Sequence, residues 1–144
     1  MERVVVCGIG DIYRGDDGIG PEVVERLRGR VRDALLLSSH NPGMFLNRIR
    51  EYRPERVILI TASNHKRAPG AVEILNTTEC KKMLEENRLT QRAMFVGYLE
   101  RSTDAEIITV NMQPESLRDG HVLSPVARNA VIGITERVRD LLMQ

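Results

Sequence analysis

Soft metal ligands are scarce in this chain. Among 144 residues there are two cysteines, Cys7 and Cys80, and three histidines, His40, His65 and His121. That stock excludes a structural zinc site of four cysteines, or of two cysteines and two histidines at ordinary spacing. Any metal would be held mostly by carboxylates, with at most a few imidazoles. The two cysteines lie far apart and Cys7 sits in an apolar run, so no disulfide scaffold is expected and a reduced, cytoplasmic setting is the simpler reading. A charge imbalance is also lacking. Twenty-one Lys+Arg face twenty Asp+Glu, for a net charge of +1, which argues against a nucleic-acid partner. No apolar run approaches the ~18 residues of a membrane span, and the opening Met1-Glu2-Arg3 lacks the features of a signal peptide. No repeat, linker or low-complexity stretch divides residues 1–144, and the length prior of roughly 100–200 residues predicts one domain.

What is present is an alternation of strand-like and helix-like segments. Residues 4–9 form a short apolar run, the pattern of a buried parallel strand. A glycine-rich turn follows. Pro21 then suits the first turn of a helix whose apolar face carries Val23, Val24, Leu27 and Val31. Residues 34–37 read as a second strand, and 44–52 as an amphipathic helix stopped by Pro54. Residues 56–62 are the most strand-like in the chain and should be central, and 71–75 suit an edge strand. Thr77 or Thr78 is placed to cap a helix running to about Asn87. Residues 89–101 follow a helical pattern, 105–112 a last strand, and Ser124-Pro125 opens a final amphipathic helix. The order predicts an α/β fold, a three-layer sandwich with a mostly parallel twisted sheet between helices. Ligands of such sheets bind beyond the carboxyl ends of the strands. The loops of interest are therefore 10–20, 38–43, 61–69 and 112–124.

The first of these loops admits two readings. A strand followed by Gly8-Ile9-Gly10 suggests a dinucleotide cradle, but the third glycine of that fingerprint is replaced by Tyr13. Asp11, Asp16 and Asp17 would also repel a pyrophosphate. The plainer reading makes Asp16 or Asp17 a helix cap. Two adjacent aspartates between Gly15 and Gly18 exceed what a cap requires, and a carboxylate there can bind a divalent metal.

The stretch Cys7-Gly8-Ile9-Gly10-Asp11-Ile12-Tyr13-Arg14-Gly15-Asp16-Asp17-Gly18-Ile19-Gly20, with Val23-Val24-Glu25-Arg26-Leu27 behind it, resembles the opening of the nickel-iron hydrogenase maturation endopeptidases. The similarity continues in order along the chain. Pro42-Gly43-Met44 looks like the family's second strand-to-helix junction. Ile60-Thr61-Ala62 through Pro69-Gly70 looks like its third strand and following turn. Met112-Gln113-Pro114 and Leu123-Ser124-Pro125 look like its closing signature.

The resemblance implies a peptidase, a hydrolase that trims the C-terminal tail of a hydrogenase large-subunit precursor. Nickel is carried by that substrate, and zinc or cadmium can stand in for it. The family's metal ligands are an acidic residue in the first loop, an aspartate ending the third strand and a later histidine. Carried over, the first falls on Asp17. The second falls on Thr61, a neutral hydroxyl where a carboxylate is expected, and Asp16 and Thr61 are assigned to substrate contact. The third should fall near 89–91, where there is no histidine. His40 and His65, on loops at the same sheet edge, are the imidazoles that can join Asp17 from new positions. Each also reads simply as an exposed loop histidine. His121 reads as a loop residue near the last helix, and Cys7 as buried packing. The departures keep a second class of function open, a relative that binds a hydrogenase precursor or metal centre without cutting it. A nucleotide-binding module is a third, disfavoured by Tyr13 and the loop aspartates.

Overall fold

The computed structural model describes residues 2–120 and 122–143. His121, expected in a loop before the last helix, lies outside them. Five strands form one sheet: β1 (Val4–Ile9), β2 (Ala34–Ser39), β3 (Arg56–Ala62), β4 (Val72–Leu75) and β5 (Glu106–Met112). Their order is β2-β1-β3-β5-β4. All neighbours are parallel except β4, which runs antiparallel along β5 at the edge. The α/β reading with a mostly parallel sheet therefore stands.

Period-two alternation divides the core. Val4 and Val6 of β1, Ile58 and Ile60 of β3, and Val110 of β5 pack on α1 (Ile19–Leu27) and α5 (Pro125–Leu142). Val5, Cys7 and Ile9, with Val57 and Leu59, face α2 (Leu46–Tyr52), α3 (Thr77–Glu86) and α4 (Thr90–Ser102). Strands β1 and β3 bury every residue, as parallel strands covered on both faces must. The sheet's partition of helices also locates a switch point. The chain leaves β1 onto the α1 face, yet leaves β2 onto the α2 face before entering β3. The crevice between β1 and β3 at their carboxyl ends is the place where such folds take ligands.

Several local readings need correction. Neither Thr77 nor Thr78 caps α3. Asn76 does, accepting from the Glu79 amide at 2.9 Å while the Glu79 carboxylate accepts from the Asn76 amide at 3.0 Å. That reciprocal box satisfies two helix-end donors, whereas a lone threonine hydroxyl one or two residues further in would satisfy one at most. Helix α1 runs from Ile19 and so keeps Pro21 in its first turn, but it ends at Leu27, and Val31 packs against the core from beyond it. Residues 42–45 form a separate 3₁₀ turn ahead of α2. The start of α5 is as expected, with Ser124 as cap and Pro125 at the first position.

The glycines of the first loop serve close packing. A Cβ on Gly8 would lie 2.3 Å from the Gly20 carbonyl oxygen, and one on Gly20 would lie 2.5 Å from that of Ile60. Helix α1 thus sits directly on the backbones of β1 and β3, which only hydrogen side chains permit. This accounts for the glycine spacing without a phosphate to cradle.

Candidate active site

The loop after β1 turns through a 3₁₀ segment, Gly15–Gly18, that packs beside β3. It buries both of its aspartates: Asp16 is fully covered and Asp17 is 4% exposed. Neither caps α1, whose N-cap is Gly18 without a side-chain bond. Their carboxylates are turned to other work, in opposite directions.

Asp16 reaches the far end of the chain. It accepts from the amides of Glu115 (2.9 Å), Ser116 (3.2 Å) and Ser124 (2.8 Å), and from the Ser124 hydroxyl (2.8 Å). A second seam runs alongside. The Gly15 amide donates to the Gly120 carbonyl at 3.0 Å, and the Gly120 amide to that of Tyr13 at 2.7 Å. The first loop and the 113–124 loop are thus one unit. Asp16, assigned from the sequence to substrate contact, has its oxygens engaged within the protein.

Asp17 faces α4. Arg92, 9% exposed, donates from Nη1 to Oδ1 at 3.2 Å and from Nη2 to Oδ2 at 3.0 Å. The Asp11 amide adds a third bond to Oδ2 at 2.7 Å. Two parallel N–H donors on two carboxylate oxygens are the strongest geometry an ion pair offers. Arg92 is the functional residue that sequence reasoning missed. It follows directly on the 89–91 stretch searched for a histidine. Its signal was available: it stands in the first turn of α4, where a cation opposes the helix dipole unless an anion lies opposite.

Thr61 stands near the carboxyl end of β3. On β3 it continues the row Val57, Leu59, the row facing α4, and it pairs with Asn111 on β5. Its hydroxyl donates to Asn111 Oδ1 at 2.9 Å. Asn111 also accepts from the Ser63 amide at 2.9 Å and donates to the Ser63 carbonyl at 3.0 Å. This neutral, buried network ends on the Ser63 hydroxyl, which has no partner among the described residues.

The two loop histidines have different surroundings. His65 pairs through Nδ1 with Glu73 of β4, and Arg67 Nε lies 3.4 Å from the same carboxylate. The loop holding His65 is pinned by Gln113, which accepts from the amides of His65 (2.8 Å) and Arg67 (3.2 Å). His40 is exposed. It lines an open cleft of about 230 Å³ with Pro42, Arg88, Gln91 and Arg92, so of the two it is the one brought to the arginine's side. Among the described residues no acidic side chain lines that cleft.

The donor set decides what the site can hold. A divalent cation of this kind wants several carboxylate or imidazole donors converging on one point. No group of three His, Cys, Asp or Glu residues among the described residues is arranged to hold one. Asp17 is covered by a guanidinium, and Thr61 is committed to Asn111. The described residues do not fit a resident metal.

The chain matches no protein-family model. It is 24% identical to the hydrogenase 3 maturation protease of Escherichia coli, across 96% of this chain and 89% of that one. Identity is 26% to the hydrogenase expression/formation protein HoxM of Cupriavidus necator, across 96% and 73%. The fold superposes on the hydrogenase maturation protease HycI of Thermococcus kodakarensis with a TM-score of 0.81 at 25% identity, covering 99% of this chain and 94% of that one. On the hydrogenase maturating endopeptidase HybD of Escherichia coli the TM-score is 0.85 at 23% identity, covering 98% and 92%. The chain is thus similar, in order along nearly its whole length, to hydrogenase maturation proteins, and it shares the fold of the hydrogenase maturation proteases.

Proposed function

We infer that the chain is an endopeptidase of hydrogenase maturation, acting on the large-subunit precursor and removing its C-terminal tail. The observation that carries this reading is the buried first-loop carboxylate, Asp17, at the switch point of the same fold that the hydrogenase maturation proteases share. Nickel enters as part of the precursor, since the donors among the described residues do not assemble a metal site. Asp17 and Arg92 form the charged centre, and Thr61 and Asn111 form a neutral network at the same end of the sheet. Around them Ile12, Met44 and Leu117 leave apolar side chains exposed on three loops of this edge. Exposed apolar groups around a polar centre suit an extended peptide.

No helix among the described residues is long and apolar enough to cross a membrane, and we place the reaction in the cytoplasm. The test mixes the protein with a nickel-loaded hydrogenase large-subunit precursor and follows its mass. Loss of the C-terminal tail, abolished in Asp17→Ala, is the expected result. Stable complex formation with no change in mass would transfer the chain to the non-cleaving class.

A further inference from the structure

The conflict between the inherited carboxylate and the missing ligands has a resolution in the ion pair itself. We propose that Arg92 is the specificity-determining residue of this site: a guanidinium attached to the chain takes the place of a divalent ion at Asp17, so the site works without chelating metal. Four observations converge. Both Asp17 oxygens are bonded by Arg92, and one of them also by the Asp11 amide. Both partners are nearly buried, so the pair is not a passing surface contact. Thr61, where the resemblance implies a second carboxylate, is neutral and donates its hydroxyl to Asn111, so it brings no second negative charge. The cleft beside Arg92 is lined by His40 and Arg88 and by no acid, so nothing there competes for the guanidinium or attracts a free cation.

Bidentate pairing explains why an arginine does this. Its planar fork matches a carboxylate and keeps its charge when desolvated, where a lysine would offer a single point of contact. A metal ion could reach Asp17 only by displacing the guanidinium, which would leave a buried charge without its partner. The consequence is a difference in substrate recognition. The precursor is read through its peptide, and a nickel ion in it makes no bond to Asp17. The proposal rests on the endopeptidase reading only for the identity of the substrate.

The test is a calorimetric titration of the purified protein with nickel and with zinc, in parallel with Asp17→Asn. Identical isotherms for the two proteins are expected. A one-to-one site present in the wild type and lost in Asp17→Asn overturns the proposal. The double variant Arg92→His with Thr61→Asp, checked by its melting curve to be folded, should gain a site at least roughly tenfold tighter than any in the wild type. A folded double variant that gains none also overturns it. Failure to trim a precursor leaves these titrations unaffected, so the two readings fail separately.

Discussion

Ser124 is bonded twice to Asp16, through its amide and its hydroxyl, each at 2.8 Å. One residue thus caps α5 and anchors the first loop. The Asp16 carboxylate has four donors in all, and removing it would strip each of its partner in a part-buried setting. Asp16→Ala should cost about 3 kcal/mol in urea unfolding, the usual penalty of breaking a buried charged network. Ser124→Ala, which keeps the amide bond, should cost about 1 kcal/mol. Equal losses would mean the carboxylate is not the centre of the junction.

The Asp17–Arg92 pair predicts strong non-additivity. Arg92→Ala or Asp17→Ala alone strands a buried charge and should cost about 3–5 kcal/mol. The double variant should cost less than the sum by at least about 1 kcal/mol, as contacting residues do. Additive losses in the double-mutant cycle would show that the pair is not energetically coupled.

Gly10 lies where the first loop closes on itself. An added Cβ would sit 1.8 Å from the Asp17 carbonyl oxygen, a backbone atom that cannot rotate away. Gly10→Ala should destabilise by about 3 kcal/mol or prevent folding. Gly133→Ala on α5, where an added Cβ meets nothing within 4 Å, should instead gain up to about 1 kcal/mol from helix propensity. Thermal melts of the two variants side by side distinguish site-specific crowding from a general intolerance.

Burial pushes the Cys7 thiol from 9.0 up to about 12, and raises Cys80 as well. Neither should react with a thiol reagent at pH 8 until the protein unfolds, when both should label. The same shift sets a pH dependence. Above pH 9 the unfolded chain ionises these thiols while the native state keeps them protonated, so the unfolded state binds fewer protons and stability falls. For Cys7 the loss runs from about pH 9 towards 12, at roughly 1.4 kcal/mol per pH unit. Cys7→Ala should flatten that slope in urea midpoints measured between pH 9 and 10.5.

Local pattern carried the fold a long way. Strands β1 and β3 declare themselves as apolar runs, and Ser124-Pro125 marks the start of α5 to the residue. The antiparallel direction of β4 was not readable, because residues 71–75 state only that a strand is short and half-exposed. The capping of α3 was readable in Asn76 and Glu79, yet the neighbouring threonines look equally suitable in isolation. At the site, sequence located the loop and Asp17 but not what Asp17 meets. Arg92 lies 75 positions away in sequence and belongs to a helix with little amphipathic contrast, so its inward direction left no periodic trace. Thr61 was noticed as a missing charge. Its pairing with Asn111 depends on the register of β3 against β5, which tertiary packing sets.

The first loop's bonds to Ser39, Arg92 and Ser124 reach β2, α4 and the cap of α5. The Asp11 amide, held by Asp17 in a loop, should therefore exchange with solvent as slowly as amides in the middle of β3, opening only when the sheet does. A loop near the surface here has the cooperativity of the core, and its rigidity is inherited from the whole molecule.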